Sequence, residues 1–393
     1  MHISAKIIDS IERSSWIRRM FEQGVKLKLR LGEEGVFDFS LGNPDLNPPE
    51  EFYSVLRGII EDQSPGVHGY MPNAGFPDSR ESIAKRVSLD HEIHIDGEHV
   101  IITCGAAGGL NIILKTILNP GEEVIVPKPY FAEYGFYIDN HQGRMILVDT
   151  EEDFSLNIEK IDKSITNKTK AILINSPNNP TGIVYSEDEI RELSGLLESY
   201  ARKNRIIYLI SDEPYREIVY DGIKVPSILK QYAHSIVVSS FSKTFSIPGE
   251  RIGYIAVNPS SVECDMLMSG LILSNRILGF VNAPALMQRV VVQICDLSID
   301  VDVYKSRREL LVNGLQEAGY EFTKPGGTFY LFCRSPISDD IKFVEHLQKY
   351  NILVVPGSGF GGPGYFRISF CVSEEVIRRA LPKFKEAIDS IRR

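Results

Sequence analysis

Ser239-Ser240-Phe241-Ser242-Lys243, with Arg251 eight residues beyond the lysine, gathers hydroxyls, an amine and a guanidinium within one short stretch. Apolar runs flank it, Ile236 to Val238 before and Ile252 to Val257 after, so the pattern predicts Lys243 in a loop between two buried strands. An amine held there loses solvation, its pKa falls, and it becomes able to form a Schiff base with a carbonyl. Ser240, Ser242 and Arg251 around it suit a phosphate dianion. Taken alone, a lysine in a serine-rich turn reads as well as a surface residue, and company elsewhere in the chain has to decide.

Two further polar residues follow apolar runs in the same way. Ala171 to Ile174 leads into Asn175-Ser176-Pro177-Asn178-Asn179-Pro180-Thr181-Gly182, and Ile206 to Ile210 leads into Ser211-Asp212-Glu213-Pro214-Tyr215. An acid in that place is either a helix cap or a deliberately placed charge. Asn179, Asp212 and Lys243 recur at intervals of 33 and 31 residues, the length of a strand, a helix and a return strand. That spacing predicts a mainly parallel sheet, buried on both faces, with its ligand crevice outside the carboxyl ends of the strands.

Other stretches add candidates of lower specificity. Val100 to Thr103 reads as a strand, then Gly105-Ala106-Ala107-Gly108-Gly109 opens a helix over Leu110 to Leu118, an arrangement that turns free amides toward an anion. It lacks the G-x-G-x-x-G of a dinucleotide site. Val124 to Val126 runs into Pro127-Lys128-Pro129-Tyr130, where the prolines should end the strand and expose Tyr130 to stack on a flat ring. Gly42 lies in the turn-rich Ser40 to Asp45, and Tyr70 lies among glycine and proline turns that fit a packed aromatic equally well. Arg367 sits inside the alternating apolar run Tyr365 to Phe370, a costly place unless it meets a carboxylate from the protein or from a substrate.

The chain has 393 residues, too many for one ordinary core; 43% are hydrophobic and 24% charged, the balance of a globular protein. A first helix is expected over about Ile7 to Gln23 and another over Glu50 to about Asp62. The character changes near Ala283. A helical region over Leu286 to Ala318 and strands at Phe329 to Cys333 and Ile352 to Val355 predict a second, mixed unit. With 43 basic and 52 acidic residues the net charge is −9, which does not favour nucleic acid or an anionic membrane as partner. The five cysteines are scattered without metal-ligand spacing, so no metal is expected. The charged N-terminal stretch lacks the apolar core of a secretory signal, and a cytoplasmic location is the expectation.

A flat aldehyde cofactor with a phosphate and a ring nitrogen needs all of these groups at once. The chain resembles the fold-type I pyridoxal-phosphate enzymes, and within them the class I/II aminotransferases related to aspartate aminotransferase. The resemblance runs from Gly42 to Arg367 and rests on S-F-S-K-x7-R (Ser240 to Arg251), N-P-T-G (Asn179 to Gly182) and S-D-E-P-Y (Ser211 to Tyr215), in family order. It implies an α/β fold with a large domain over 46–285, built on a mainly parallel central sheet flanked by helices. A smaller α+β domain would come from both chain ends, 1–45 and 286–393. It implies pyridoxal 5′-phosphate held as an imine on Lys243, which would also carry the proton during catalysis. Asp212 would pair with the pyridine nitrogen, and Asn179 and Tyr215 would bond the phenolic oxygen. Gly105, Ala106, Ala107, Ser240, Ser242 and Arg251 would hold or neighbour the phosphate, and Tyr130 would stack on the ring. Arg367 would clamp the substrate α-carboxylate with Gly42 and Asn179 beside it. Tyr70 would reach the phosphate of a neighbouring subunit, making a homodimer with shared sites.

The reaction implied is ping-pong transfer of an amino group from an α-amino acid to a 2-oxo acid, with aspartate-like substrates the first expectation and aromatic or alanine-like ones open. Two departures bear on this: Ala106 and Ala107 carry no hydroxyls where some members supply them, and Tyr130 stands where others have tryptophan. Arg276 is left unassigned, since a surface arginine explains it equally well. A C–S β-lyase on the same scaffold is the alternative. A non-catalytic ligand sensor would carry a DNA-binding module, for which the residues before Gly42 are few. A nicotinamide dehydrogenase lacks its fingerprint here.

Overall fold

The computed structural model describes residues 2–13 and 16–392. Its strands, in chain order, are β1 (Phe37–Asp38), β2 (Val100–Thr103), β3 (Glu123–Lys128), β4 (Arg144–Asp149), β5 (Thr169–Asn175), β6 (Tyr208–Asp212), β7 (Ser235–Ser240), β8 (Gly253–Val257), β9 (Tyr330–Arg334), β10 (Ile352–Leu353), β11 (Val355–Pro356) and β12 (Tyr365–Ser369). Seven of them form one sheet in the order β2-β8-β7-β6-β5-β3-β4.

The near-continuous apolar runs have a direct cause in this sheet. Alternate residues of each strand enter different cores: Ile172, Ile174, Leu209 and Val237 pack on one side, and Ala171, Leu173, Ile210, Ile236 and Val238 on the other. Helices Pro77–His91, Glu187–Ala201 and Ala285–Ile294 cover the first side, and Gly105–Ile117 and Cys264–Ile277 cover the second. A sheet buried on both faces needs apolar residues at every position.

From β4 through β3, β5 and β6 to β7 the pairs are parallel, as the 33- and 31-residue spacing predicts. β8 departs from this and runs antiparallel to both β7 and β2. Residues 241–252 between β7 and β8 hold only a helical turn at Phe241–Thr244 and a 3-10 turn at Pro248–Glu250, not the helix that a parallel crossover uses. β3 continues through Pro127 to Lys128 instead of stopping at the proline. Its ladder with β5 ends at Ile125 and only β4 accompanies it further, so the missing donor is tolerated there.

A second core surrounds the antiparallel sheet β11-β12-β9, where Phe332, Phe343, Phe360, Phe366 and Phe384 are buried with helices Val301–Ala318, Asp340–Gln348 and Glu374–Arg392. β1 joins this part through its parallel pairing with β10, so both chain ends build it. The helical region expected over Leu286 to Ala318 is two helices. The first of them, Ala285–Ile294, buries Met287, Val290, Val291 and Ile294 in the large-sheet core, and the change of core comes after Cys295. Where a helix is expected over 7–23, Ala5–Arg13 and Trp16–Leu31 are helical, with 14 and 15 outside the described residues. Among the described residues, no helix is long and apolar enough to cross a membrane.

Gly253 shows how tightly the sheet edge is built beneath the site. A Cβ there would lie 2.5 Å from the Ser239 carbonyl oxygen and 2.9 Å from the Gly105 backbone, neither of which is a flexible side chain. Gly253→Ala is expected to destabilise the fold by about 1–3 kcal/mol, the usual cost of forced overpacking. Urea unfolding checks this, as a lowered midpoint at unchanged slope.

Candidate active site

The carboxyl ends of β5, β6 and β7 deliver Asn175, Asp212 and Ser240 to one cavity of about 380 Å³. Leu41, Gly42, Ala106, Ala107, Phe131, Glu133, Tyr137, Asn179, Tyr215, Ser242, Lys243, Arg251, Tyr330 and Arg367 also line it. Residues separated by more than 300 positions thus share one wall.

Lys243 sits in the helical turn Phe241–Thr244 rather than in an open loop, and Ser240 caps that turn by accepting from the Ser242 amide. Its amine donates to the Gly42 carbonyl at 2.9 Å. Burial pulls its pKa down to about 8; Cys371 opposes this, while the positive charges of Arg367 and Arg251 act in the same direction as burial. A lysine in this state reaches its nucleophilic, neutral form near physiological pH.

Asp212 is 5% exposed, and burial raises its pKa to about 7. The Tyr134 hydroxyl donates to its Oδ2 at 2.6 Å and opposes that rise, while its Oδ1 is buried without a partner. The Asn175 amide bonds the Asp212 carbonyl at 2.7 Å and fixes the backbone. A buried carboxylate oxygen left unpaired in a cavity wall awaits a donor, and a protonated ring nitrogen is such a donor. Across the cavity the Tyr215 and Tyr330 hydroxyls share a hydrogen bond of 3.2 Å, and burial holds the Tyr215 phenol well above its ordinary pKa.

At one end of the cavity the first turn of helix Gly105–Ile117, whose early amides have no intrahelical acceptor, meets Ser240, Ser242 and Arg251, a set of donors that could hold an anion. Gly105 has a φ of +72°, and a Cβ there would come within 2.7 Å of the Arg251 guanidinium, so glycine lets the arginine close over the helix start. Gly105 itself is not a lining residue; Ala106 and Ala107 are.

Arg367 projects from β12 and is 2% exposed. Its guanidinium donates to Asn179 Oδ1 at 2.8 Å and to the Ser40 carbonyl at 2.9 Å, and lies 4.3 Å from the Tyr330 ring centroid. Its Nε is buried and unpaired, and no ion pair is recorded for it among the described residues. No protein carboxylate among the described residues comes within ion-pair distance of it, so the guanidinium could take a ligand carboxylate as its direct partner. Gly42 is close to the Tyr330 ring, and a Cβ there would overlap the phenol.

Three further residues lie off the cavity of this chain, and of these only Tyr130 departs from the expectation stated for it. Tyr130 does not line the cavity: its amide donates to the Phe360 carbonyl, and its ring lies against Gly361. The neighbouring Phe131 lines the cavity instead. Tyr70 is 94% exposed and away from the cavity of its own chain. Arg276 is exposed near the end of helix Cys264–Ile277 and does not line the cavity either. Sequence reasoning missed Phe131, Glu133, Tyr134, Tyr137 and Tyr330. The first four follow directly on Tyr130 at the end of β3, the same strand-end position that drew attention to Asn179 and Asp212.

The family model for "Aminotransferase class I and II" matches residues 34–384. A probable aspartate aminotransferase of Methanocaldococcus jannaschii is 32% identical over 96% of this chain and 100% of its own. The aromatic-amino-acid aminotransferase 2 of Thermococcus litoralis is 30% identical over 95% of each. Among solved structures, an amino transferase from Eubacterium rectale superimposes with a TM-score of 0.96 at 36% identity, covering all of both chains. Aspartate aminotransferase from Thermus thermophilus with maleate gives 0.88 at 27% identity, covering 98% of this chain and 100% of that one.

The raised pKa of Asp212 has a consequence for stability. A carboxyl whose folded pKa of about 7 exceeds its unfolded value of 3.8 binds extra protons in the folded state between those values, so its contribution is present at low pH and is lost as pH rises toward 7. In cofactor-free protein, urea stability is expected to fall from pH 5 to pH 8 in wild type more steeply than in Asp212→Asn. The difference between the two isolates Asp212, because burial raises Glu217 to about 7 as well.

Proposed function

The chain belongs to the class I and II aminotransferases, of pyridoxal-phosphate fold type I; from that premise we propose that it moves an amino group between an α-amino acid and a 2-oxo acid, using pyridoxal 5′-phosphate. The observation that carries this reading is the buried, unpaired Oδ1 of Asp212 in the same cavity as a lysine whose pKa is lowered to about 8.

When bound, the cofactor supplies an aldehyde for the amine and an electron-accepting ring. The residues of this chain do the rest. Asp212 holds a proton on the ring nitrogen, and Tyr134 keeps the carboxylate aimed and ionised when that positive partner is present. Ser240, Ser242, Arg251 and the amides at Ala106 and Ala107, all at the cavity wall, would hold the phosphate, and Phe131 would offer its ring to the cofactor's. Asn179 and Tyr215 would bond the ring oxygen, while Arg367, held in place by Asn179 and the Ser40 carbonyl, would grip the α-carboxylate. Held in this way, the α-carbon proton lies within reach of the Lys243 amine, which carries it away and returns it.

Aspartate, the first candidate on sequence grounds, is supported by the names of relatives and not by a cation of this chain. The cavity's three cations are Lys243, Arg251 and Arg367, and each already has a task. We read the assembly as a homodimer with shared sites. Tyr70 is fully displayed, and Met266, Leu273 and Ile277 form an exposed apolar row on helix Cys264–Ile277.

A single amino acid added to the purified, cofactor-loaded protein is expected to convert its visible absorbance to that of the aminated cofactor, with the 2-oxo acid released in equal amount. Lys243→Ala should slow that conversion by at least about a thousandfold, in the range of a lost acid–base group. Steady release of pyruvate and ammonia without an acceptor would instead select β-elimination. Sedimentation should give twice the chain mass of 44.2 kDa, and Tyr70→Phe should weaken phosphate retention without changing that mass.

A further inference from the structure

One carboxyl group in the cavity wall is left without a task by the function proposed above. Glu133 precedes helix Tyr134–Asn140 and lines the cavity together with Phe131, Tyr137 and Arg367. Its Oε2 is buried, and no described residue donates a hydrogen bond to it. Burial raises its pKa, and the positive charge of Arg367 works in the opposite direction, which places the two groups within electrostatic reach of each other. They are too far apart to pair directly, since no ion pair is recorded between them among the described residues. The carboxylate therefore does not pair directly with Arg367, and both groups border the same cavity.

We propose that Glu133 sets the side-chain specificity of the site, selecting α-amino acids whose side chain ends in a hydrogen-bond donor such as an amide, a hydroxyl or an ammonium, and working against a second carboxylate. This rests on Arg367 as the clamp for the α-carboxylate and so on the function proposed above. A substrate held there by its α-carboxylate extends its side chain along the same wall. A distal carboxylate arriving beside Glu133 would set two like charges together in a poorly solvated place, with no fourth cation of this chain to offset them. A donor would instead complete the unpaired Oε2, and leaving a buried acceptor unmet is the costlier state. Selection of this kind works through the penalty on the wrong ligand as much as the gain from the right one.

Two ligands that lack an amine separate this inference from turnover. Succinate and its monoamide, succinamate, have the same length and differ in one end group. Their dissociation constants are measured by calorimetry on the pyridoxal-phosphate-loaded protein at pH 8. Wild type is expected to bind succinamate at least ten-fold more tightly than succinate, about 1.4 kcal/mol. In Glu133→Gln the gap should shrink below three-fold, mainly through tighter succinate binding, and Glu133→Ser should narrow it in the same direction. Equal or tighter succinate binding by wild type would overturn the assignment, as would an unchanged gap in both variants. Neither ligand can be transaminated. If no amino acid converted the cofactor, the transamination reading would fail while this comparison stayed readable.

Discussion

A carboxyl group held almost out of water with one oxygen satisfied and the other bare is expensive to fold around, and Asp212 is in that position. The fold meets the cost from several directions. Tyr134, 78 residues earlier in the chain, donates to one oxygen. Asn175, on the neighbouring strand β5, ties down the carbonyl. β6 itself is held between β5 and β7, so the end that carries Asp212 cannot drift. What remains unpaired faces the cavity, and a cationic partner arriving there would recover part of the cost as binding energy.

The cations show the same design. Lys243, Arg251 and Arg367 share one cavity, and Arg367 and Arg251 both depress the lysine. Three positive groups face only two acids there, Asp212 and Glu133, both of which burial disfavours in their charged form, so the cations repel one another unless anions enter. A phosphate at the helix Gly105–Ile117 end and a carboxylate at the β12 end would provide that relief at two separate places. Charge balance thus favours a ligand with two anionic ends, and the lysine between them is kept neutral enough to react.

The parallel half of the sheet was legible because burial on both faces writes unbroken apolar runs, and helical crossovers give those runs a period. Asn179, Asp212 and Lys243 could be placed at one crevice from that period alone. β8 was not legible as antiparallel, since an apolar run carries no sign of its direction and only the short link from β7 decides it. Tyr130 was mistaken for the cavity aromatic because two adjacent rings, Tyr130 and Phe131, follow one proline, and which of them faces inward depends on a hydrogen bond to Phe360, 230 residues away. Tyr134 and Tyr330 had no local signature at all, because their partners lie 78 and 115 residues distant.

Asp212 and Glu213 are adjacent, both are nearly inaccessible, and their acidities move in opposite directions. Burial alone would raise Glu213 as it raises Asp212, yet Arg216 at 2.8 Å, with His91 adding to it, outweighs burial and brings Glu213 to about 2. Glu213 follows directly on β6, and its amide continues the ladder by donating to the Val238 carbonyl, so the strand's alternation carries over: one side chain meets a guanidinium behind the sheet and the other meets the cavity. Glu213 therefore supports the fold at any pH above its unfolded value of about 4.5, and that support is lost only as pH falls toward 2. Had Arg216 been placed on the cavity side, Asp212 would be the settled ion pair, and no acid would be left to hold a ring nitrogen. Division of labour between two neighbouring carboxyls rests on that one geometric choice, and the alternation of a single β-strand makes it.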